Sequence, residues 1–136
     1  MGIGRLVLGG LAALVLAAPA GAETIAVNTT EDSAAASCGA PGAPCSLRGA
    51  IIRAKNLPGP DTVALPAGTY DNTGGDFIVA IGESIAITGA GARTTVVREA
   101  SGGDGRVFLV EQNARLQLDD VTVADARAGS DRKSVV

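Results

Sequence analysis

The most reactive side chains belong to two cysteines, Cys38 and Cys45, which are the only thiols in the 136-residue sequence. A cysteine nucleophile needs a base, most often histidine, to form its thiolate. The sequence contains no histidine, so a Cys–His pair is excluded. Both cysteines lie in residues 31–45, where glycine, proline and alanine predict a loop. An even number of cysteines in an exported chain favours a disulfide, which in so short a loop would contribute about 2–3 kcal/mol.

Carboxylates in the second half of the sequence are the other candidates for chemistry. A polysaccharide lyase uses clustered carboxylates to bind Ca²⁺ and a basic residue to remove a proton. Aspartate between two strands is more often a turn residue, because its side chain hydrogen-bonds nearby backbone. Asp119 and Asp120 lie between Leu118 and Val121, where a turn is expected, so we predict turn residues there. The full set of candidates is Asp104, Asp119, Asp120 and Asp125, with Arg93, Arg98, Arg106 and Arg115 nearby in sequence.

Signals for a cofactor or a sugar-binding surface are weak. The segment "GAGART" at 89–94 lacks the strand-then-helix setting of a nucleotide-binding loop. There is no tryptophan to stack on sugars, and we expect two of the three aromatic rings, Tyr70 and Phe108, in the core. The net charge is −3 and the basic residues are scattered singly, which argues against a nucleic acid partner. We predict no catalytic residue, no cofactor and no metal ligand.

One amphipathic helix precedes most of the strands. Ser46 is a good N-cap residue, and Leu47, Ala50, Ile51 and Ala54 follow with helical spacing along one face. The prolines of the next segment, "NLPGPD", end the helix because proline has no amide proton to donate. A helix of about three turns is marginal alone, so its apolar face must pack on the rest of the protein. Leu47 and Ile51 are expected to make that contact.

The first residues follow the pattern of a secretory signal peptide. A basic start, an apolar run and the small residues "AGA" at 20–22 come in the order that precedes signal cleavage. The apolar run has about 13 residues, whereas a membrane-spanning helix needs about 20. We predict cleavage after Ala22, a mature chain without a transmembrane helix, and a secreted or cell-surface location. The Cys38–Cys45 disulfide would persist in that oxidising environment.

Alternating apolar residues predict short strands over the rest of the chain, first at 23–30 and then repeatedly from residue 61. Short strands with tight turns and no crossover helices favour an all-β parallel solenoid, and an antiparallel β-sandwich is the alternative. A helix laid over the first coil would cover the exposed end of such a solenoid. The residues expected to face the interior are Val63, Leu65, Ile78, Ala80, Ile85, Ile87, Val96, Val107, Leu109, Leu116, Leu118, Val121 and Val123.

The predicted organisation has four parts. Residues 1–22 are the signal peptide, and 23–60 form an N-terminal cap of strand, disulfide loop and helix. Residues 61–130 are the first coils of a truncated solenoid. The final segment 131–136, "DRKSVV", matches neither the strand pattern nor the turn chemistry before it. One back-translation of it reproduces a widely used sequencing adapter, so we interpret 131–136 as a non-native tail.

Five blocks in this order resemble the CSLREA-domain family of bacterial surface proteins. They are "CSLRGAI", "PDTVALPAGTY", "IAITGAGARTTVV", "GRVFLV" and "LQLDDVTVADA", and the resemblance covers roughly residues 23–126. The resemblance implies an exported protein whose cap motif leads into a right-handed parallel β-helix. Gly49 stands where the family motif has glutamate, so the reciprocal bond of a capping box is absent here.

These observations predict an exported β-helix protein with a role in adhesion, surface display or structure. Its partner, in the adhesion case, would be an extracellular glycan or protein. The alternative is the N-terminal part of a β-helix polysaccharide lyase or glycosidase whose active site lies in further coils. Clustered Asp, His and Lys on adjacent coils would favour the enzyme.

Overall fold

The computed structural model describes residues 21–34, 38–102, 105–127 and 134–135. Nearly all of the predicted signal peptide lies outside these residues, and so does Asp104. The predicted non-native tail is described only at its short strand, Ser134–Val135.

The described chain is mostly β-structure with one short helix, which confirms the all-β prediction. Only part of the predicted strand at 23–30 is regular, because β1 covers three of those residues. The elements in chain order are β1 (Thr24–Ala26), α1 (Leu47–Lys55), β2 (Asp61–Leu65), β3 (Gly68–Asp71), β4 (Phe77–Val79), β5 (Ser84–Gly89), β6 (Thr95–Arg98), β7 (Phe108–Val110), β8 (Arg115–Asp119), β9 (Thr122–Ala124) and β10 (Ser134–Val135).

The strands form three sheets, which the chain visits in a fixed order. Sheet A has the order β1-β2-β5-β8, sheet B has β3-β6-β9, and sheet C has β4-β7-β10. From β2 onward, each pass of the chain adds one strand to A, then to B, then to C. We call β2–β4 the first layer, β5–β7 the second and β8–β9 the third.

Neighbouring strands run parallel in almost every described pair. Six of the seven pairings are parallel, and the exception is β10 against β7. Parallel neighbours within a sheet do not fit the antiparallel β-sandwich, so that alternative is wrong. Parallel strands usually need crossover helices, but here the described connections are turns that lead into the next sheet.

The interior is built from matching positions of successive layers. In sheet A the register stacks Ile25, Val63, Ile87 and Leu118 in one row. In sheet C, Phe77 pairs with Phe108, and their ring centroids lie 5.6 Å apart. Tyr70 and Phe108 are buried, as expected from the sequence. Each layer therefore fills the interior by packing on the next.

Two strands turn the opposite face inward from the one expected. In β4, Phe77 and Val79 are buried and Ile78 is 50% exposed; in β6, Val97 is buried and Val96 only partly. Adjacent residues are apolar in both strands, all three in β4 and the two valines in β6, so alternation alone cannot select the inward set. The residues expected inside that lie outside the core are Ile78, Ala80, Val96 and, opposite Ile78 in the register, Leu109.

The helix covers the start of the layers. Helix α1 packs against β1, β2 and β4, so it spans sheets A and C at the first layer. Its buried apolar face comprises Leu47, Ala50, Ile51 and Ala54. This is the apolar stripe expected from the spacing, with Leu47 and Ile51 facing the core.

Candidate functional site

The cap at the first layer is the most elaborate local structure in the described chain. The disulfide predicted from the sequence is present, joins Cys38 to Cys45, and is buried at both ends. Asn28, just beyond β1, holds the loop in place: its Oδ1 accepts from the Cys45 amide at 2.7 Å, and its Nδ2 donates to the Ala43 carbonyl at 3.0 Å. The loop is therefore closed covalently and tied to the first strand.

The first turn of α1 is capped by Ser46. Its Oγ accepts from the Gly49 amide at 2.9 Å and donates to the Ser33 carbonyl. The serine thereby satisfies an N-terminal amide of the helix, which is the role of an N-cap residue. The same hydroxyl joins the helix start to the preceding loop.

Arg48 joins the helix to two other segments. Its Nε and Nη2 donate to the two carboxylate oxygens of Asp32 at 2.7 and 2.9 Å. Its guanidinium also donates to the backbone carbonyls of Gly75 and Asp76, and lies 4.8 Å from the centroid of the Phe77 ring. The planar guanidinium group can form a bidentate ion pair with a carboxylate and stack on an aromatic ring at the same time. We call Arg48 and Asp32 the cap clamp.

Asp32 is the buried member of this clamp, with a side chain only 1% exposed. Its Oδ2 also accepts from the Gly74 amide at 2.7 Å. Burial by itself would raise the pKa of Asp32, but the hydrogen bonds from Arg48 and Gly74 outweigh it and hold the pKa below its ordinary value. The carboxylate therefore stays ionised at neutral pH.

A shallow groove of about 240 Å³ lies between α1 and β4. Its walls are mainly apolar, with Arg48 and Lys55 as the charged lining residues. Ile78 also lines the groove and is half exposed. The other lining residues are Ile51, Ile52, Phe77 and Ala80. Apolar contact and two cations can hold a ligand, and this lining contains no carboxylate, hydroxyl or thiol.

Asp119, Asp120 and Asp125, three of the aspartates singled out from the sequence, lie outside this groove. Asp120 and Asp125 have φ angles of 53° and 57°, in the left-handed region that aspartate tolerates better than most residues. Asp119, at the end of β8, accepts from the Gln117 side chain at 2.7 Å. The left-handed backbone of Asp120 fits the interpretation as a turn residue, whereas Asp119 is still part of a strand. Within residues 21–34, 38–102 and 105–127, no cluster of three or more His, Cys, Asp or Glu could hold a metal ion.

Two of the arginines bridge neighbouring layers. Arg98 in β6 makes a bidentate pair with Asp71 in β3, at 2.8 and 2.9 Å. Arg106 reaches back to Asp76 at 2.8 Å. The hydrogen bonds from Arg98 lower the pKa of Asp71, and this effect exceeds the opposing effect of burial. By contrast, Arg93 and Arg115 are exposed.

Asn72 is a structural residue that the sequence did not reveal. It is completely buried, donates from Nδ2 to the Arg106 carbonyl at 2.9 Å, and accepts at Oδ1 from the Ala100 amide at 2.7 Å. It therefore satisfies backbone groups of the second layer from the first. An asparagine directly after a short strand is the only hint, and turns carry asparagine too often for that hint to be specific.

No family model, curated protein or solved structure matches this chain. None of the helices in the described residues is long and apolar enough to cross a membrane. Function must therefore be argued from the cap, the groove and the stacked layers.

Proposed function

We propose that this chain is the N-terminal part of an exported right-handed parallel β-helix protein of the CSLREA-domain type, with a role in adhesion, surface display or structure. The observation that carries the proposal is the repeated A, B, C order of parallel strands beneath a disulfide-anchored helix. A chain that adds one strand to each sheet on every pass gives a long, regular surface, which suits display better than enclosing a substrate.

Two features support export. The N-terminal pattern has the three parts of a signal peptide, and the two cysteines of the chain are joined in a disulfide. Disulfides are rare in the reducing cytoplasm and common outside it.

The non-catalytic role is supported by what the charged candidates do. Asp71, Asp76, Arg98 and Arg106 are engaged in ion pairs between layers. Asp120 and Asp125 shape turns. These side chains support the fold, and no described residue favours the lyase or glycosidase alternative.

The third layer supports continuation of the β-helix. Leu116, Leu118 and Val123 occupy inward positions by register, yet they are only partly buried. A further layer paired with β8 and β9 would remove this apolar surface from water.

Export is tested by comparing the full chain with a variant lacking residues 2–22 in a bacterial host. We expect the full chain outside the cytoplasm, with Cys38 and Cys45 resistant to a maleimide until a reductant is added. The variant without residues 2–22 should stay in the cytoplasm, and its cysteines should react with the maleimide without added reductant. Equal labelling of both forms, or retention of both in the cytoplasm, would contradict export.

Function is tested on the secreted protein with immobilised glycans and extracellular proteins, in parallel with lyase and glycosidase assays. Retention of a ligand without turnover supports adhesion. Absence of both retention and turnover favours a structural role. Release of unsaturated or shortened sugar products would overturn the non-catalytic proposal. Reduced and alkylated protein is the control for non-specific retention.

A further inference from the structure

Asp61, the first residue of β2, is a carboxylate buried almost completely, with 2% of its surface exposed. Its Oδ1 accepts a hydrogen bond from the backbone nitrogen of Glu23 at 2.9 Å. A buried carboxylate is costly unless a positive charge or several strong donors compensate it. An amide N–H is a weak partner for such a group, because it carries no net charge.

Glu23 is held against Asp61 from three sides. Its nitrogen donates to Asp61, and its carbonyl accepts from the Thr62 amide at 2.8 Å. Its side-chain carboxylate pairs with Arg53 of α1 at 2.7 Å. The position of the Glu23 nitrogen is therefore fixed by β2 and by the capping helix together.

This nitrogen belongs to the peptide bond that the sequence marks for cleavage. The small residues at 20–22 predict signal-peptidase cleavage between Ala22 and Glu23. Gly21 and Ala22 are exposed, whereas the carboxylate that faces the next nitrogen is buried. Two independent features, one of sequence and one of packing, thus meet at the same atom.

We propose that export cleavage creates the cation that Asp61 is placed to bind. Signal peptidase adds water across the Ala22–Glu23 bond, so that Ala22 leaves with a carboxylate and the Glu23 nitrogen becomes an α-amino group. That group takes up a proton at neutral pH, because its ordinary pKa is about 8. The resulting ammonium forms a buried ion pair with Asp61 and locks the mature N-terminus into sheet A.

Carboxylates outnumber cations around Asp61, which favours this pairing. Burial is the largest cause that raises the pKa of Glu83, and the negative charges of Asp61 and Glu111 add smaller contributions. The backbone amide of Ala80 and the charge of Lys55 oppose the rise. A cation at the Glu23 nitrogen would lie at the start of β2 and offset this local excess of carboxylates. The precursor, in which the same nitrogen is a neutral amide, lacks this compensation.

The first test is the N-terminus of the secreted protein and its stability. Mass spectrometry should give Glu23 as the first residue; another start would overturn the proposal. Two forms are then prepared, one beginning at Glu23 and one at Gly21, and both are unfolded in urea at pH 7. We expect the Glu23 form to have an equilibrium constant for unfolding about tenfold lower, because a charged donor makes a hydrogen bond roughly twice as strong.

Two substitutions identify the partner of the ammonium. Asp61→Asn should abolish the difference between the Glu23 and Gly21 forms. Asp71→Asn, the matched control on sheet B, should leave the difference intact. Equal stability of the two forms with Asp61 present, or an advantage that survives Asp61→Asn, would overturn the proposal.

A second readout does not depend on measuring stability. The α-amine is labelled at pH 7 with an N-hydroxysuccinimide ester, and the labelled N-terminal peptide is quantified. The Glu23 form should react several times more slowly than the Gly21 form, since a protonated, paired amine is a poor nucleophile. Asp61→Asn should remove the protection; unchanged protection would mean that another group shields the amine.

Discussion

The first and third layers place equivalent residues in different environments. In sheet A, Ile25, Val63 and Ile87 are no more than 3% exposed, whereas Leu118, in the same row, is only partly buried. All four side chains are aliphatic, and they occupy matching strand positions. What differs is the structure that lies beyond each layer, so alternation decides which side a residue faces and the next layer decides how deeply it is buried.

The two ends are covered by different means. Helix α1 and β1 pack over the first layer, and the disulfide and the cap clamp hold the helix there. At the third layer, β8 and β9 are the last strands of their sheets in the described chain, and β10 covers only β7. The N-terminal end should therefore be the stable region and the third layer the weak one.

Truncation of matched inward residues should have the largest effect and the clearest contrast. Ile87→Ala removes fully buried volume from the second layer, and we expect a loss of about 3–4 kcal/mol in the free energy of unfolding. Leu118→Ala should cost about 1 kcal/mol, because that side chain is still partly in water. Urea unfolding of both variants measures the difference. Equal losses in the free energy of unfolding for the two variants would contradict the predicted difference between the layers.

The cap clamp gives the next largest effect. Arg48→Met keeps much of the side-chain volume but leaves the Asp32 carboxylate buried without its cation, and we expect a loss of about 3 kcal/mol. Arg98→Met is the matched control, since its ion pair with Asp71 is far more exposed and should contribute much less than the cap clamp. Thermal and urea unfolding provide the measurement. A larger loss for Arg98→Met would show that the cap is not the better-anchored end.

Removal of the disulfide should cause a slightly smaller loss of stability than loss of the cap clamp. The paired change Cys38→Ser and Cys45→Ser opens a loop whose ends are seven residues apart, and we expect a loss of about 2–3 kcal/mol. Unfolding curves of oxidised wild type and of the double variant give this value. Reduction of the wild type should reproduce the loss, and reduction of the double variant should change nothing.

Acid should lower the stability of the cap less than any of the substitutions above lowers the stability of the protein. Because its neighbours lower the pKa of Asp32 in the folded state, this carboxylate stabilises the protein above its unfolded pKa of about 4. That contribution is lost as the pH falls through the lowered folded pKa. Asp32→Asn should therefore flatten the decline of stability below about pH 4. A decline as steep in the variant as in the wild type would assign it to other carboxylates.

Local patterns predicted the features that depend on neighbouring residues. The apolar stripe of α1, the serine cap and the disulfide loop follow from spacing and composition over a few residues. The inward positions of β2 and β5 follow from alternation, because polar or small residues separate Val63 from Leu65 and Ile85 from Ile87.

The sequence could not predict features that depend on distant partners. Arg48 meets Asp32 across 16 residues, and Asn72 meets Ala100 across 28, so neither contact leaves a local pattern. The prediction of which β4 residues face inward was wrong, because Phe77, Ile78 and Val79 are all apolar. Asp61 occupies an inward strand position with a charge, and its partner at Glu23 lies 38 residues away.

Backbone amide exchange on the secreted chain, resolved residue by residue, tests the difference between the two ends most directly. Amides of β2 and β5 should exchange slowest, and those of β8 and β9 at least about tenfold faster, because the third layer opens without unfolding the capped end. Equal protection of β8 and β5, or faster exchange in β2 than in β9, would contradict a fold anchored by its N-terminal cap.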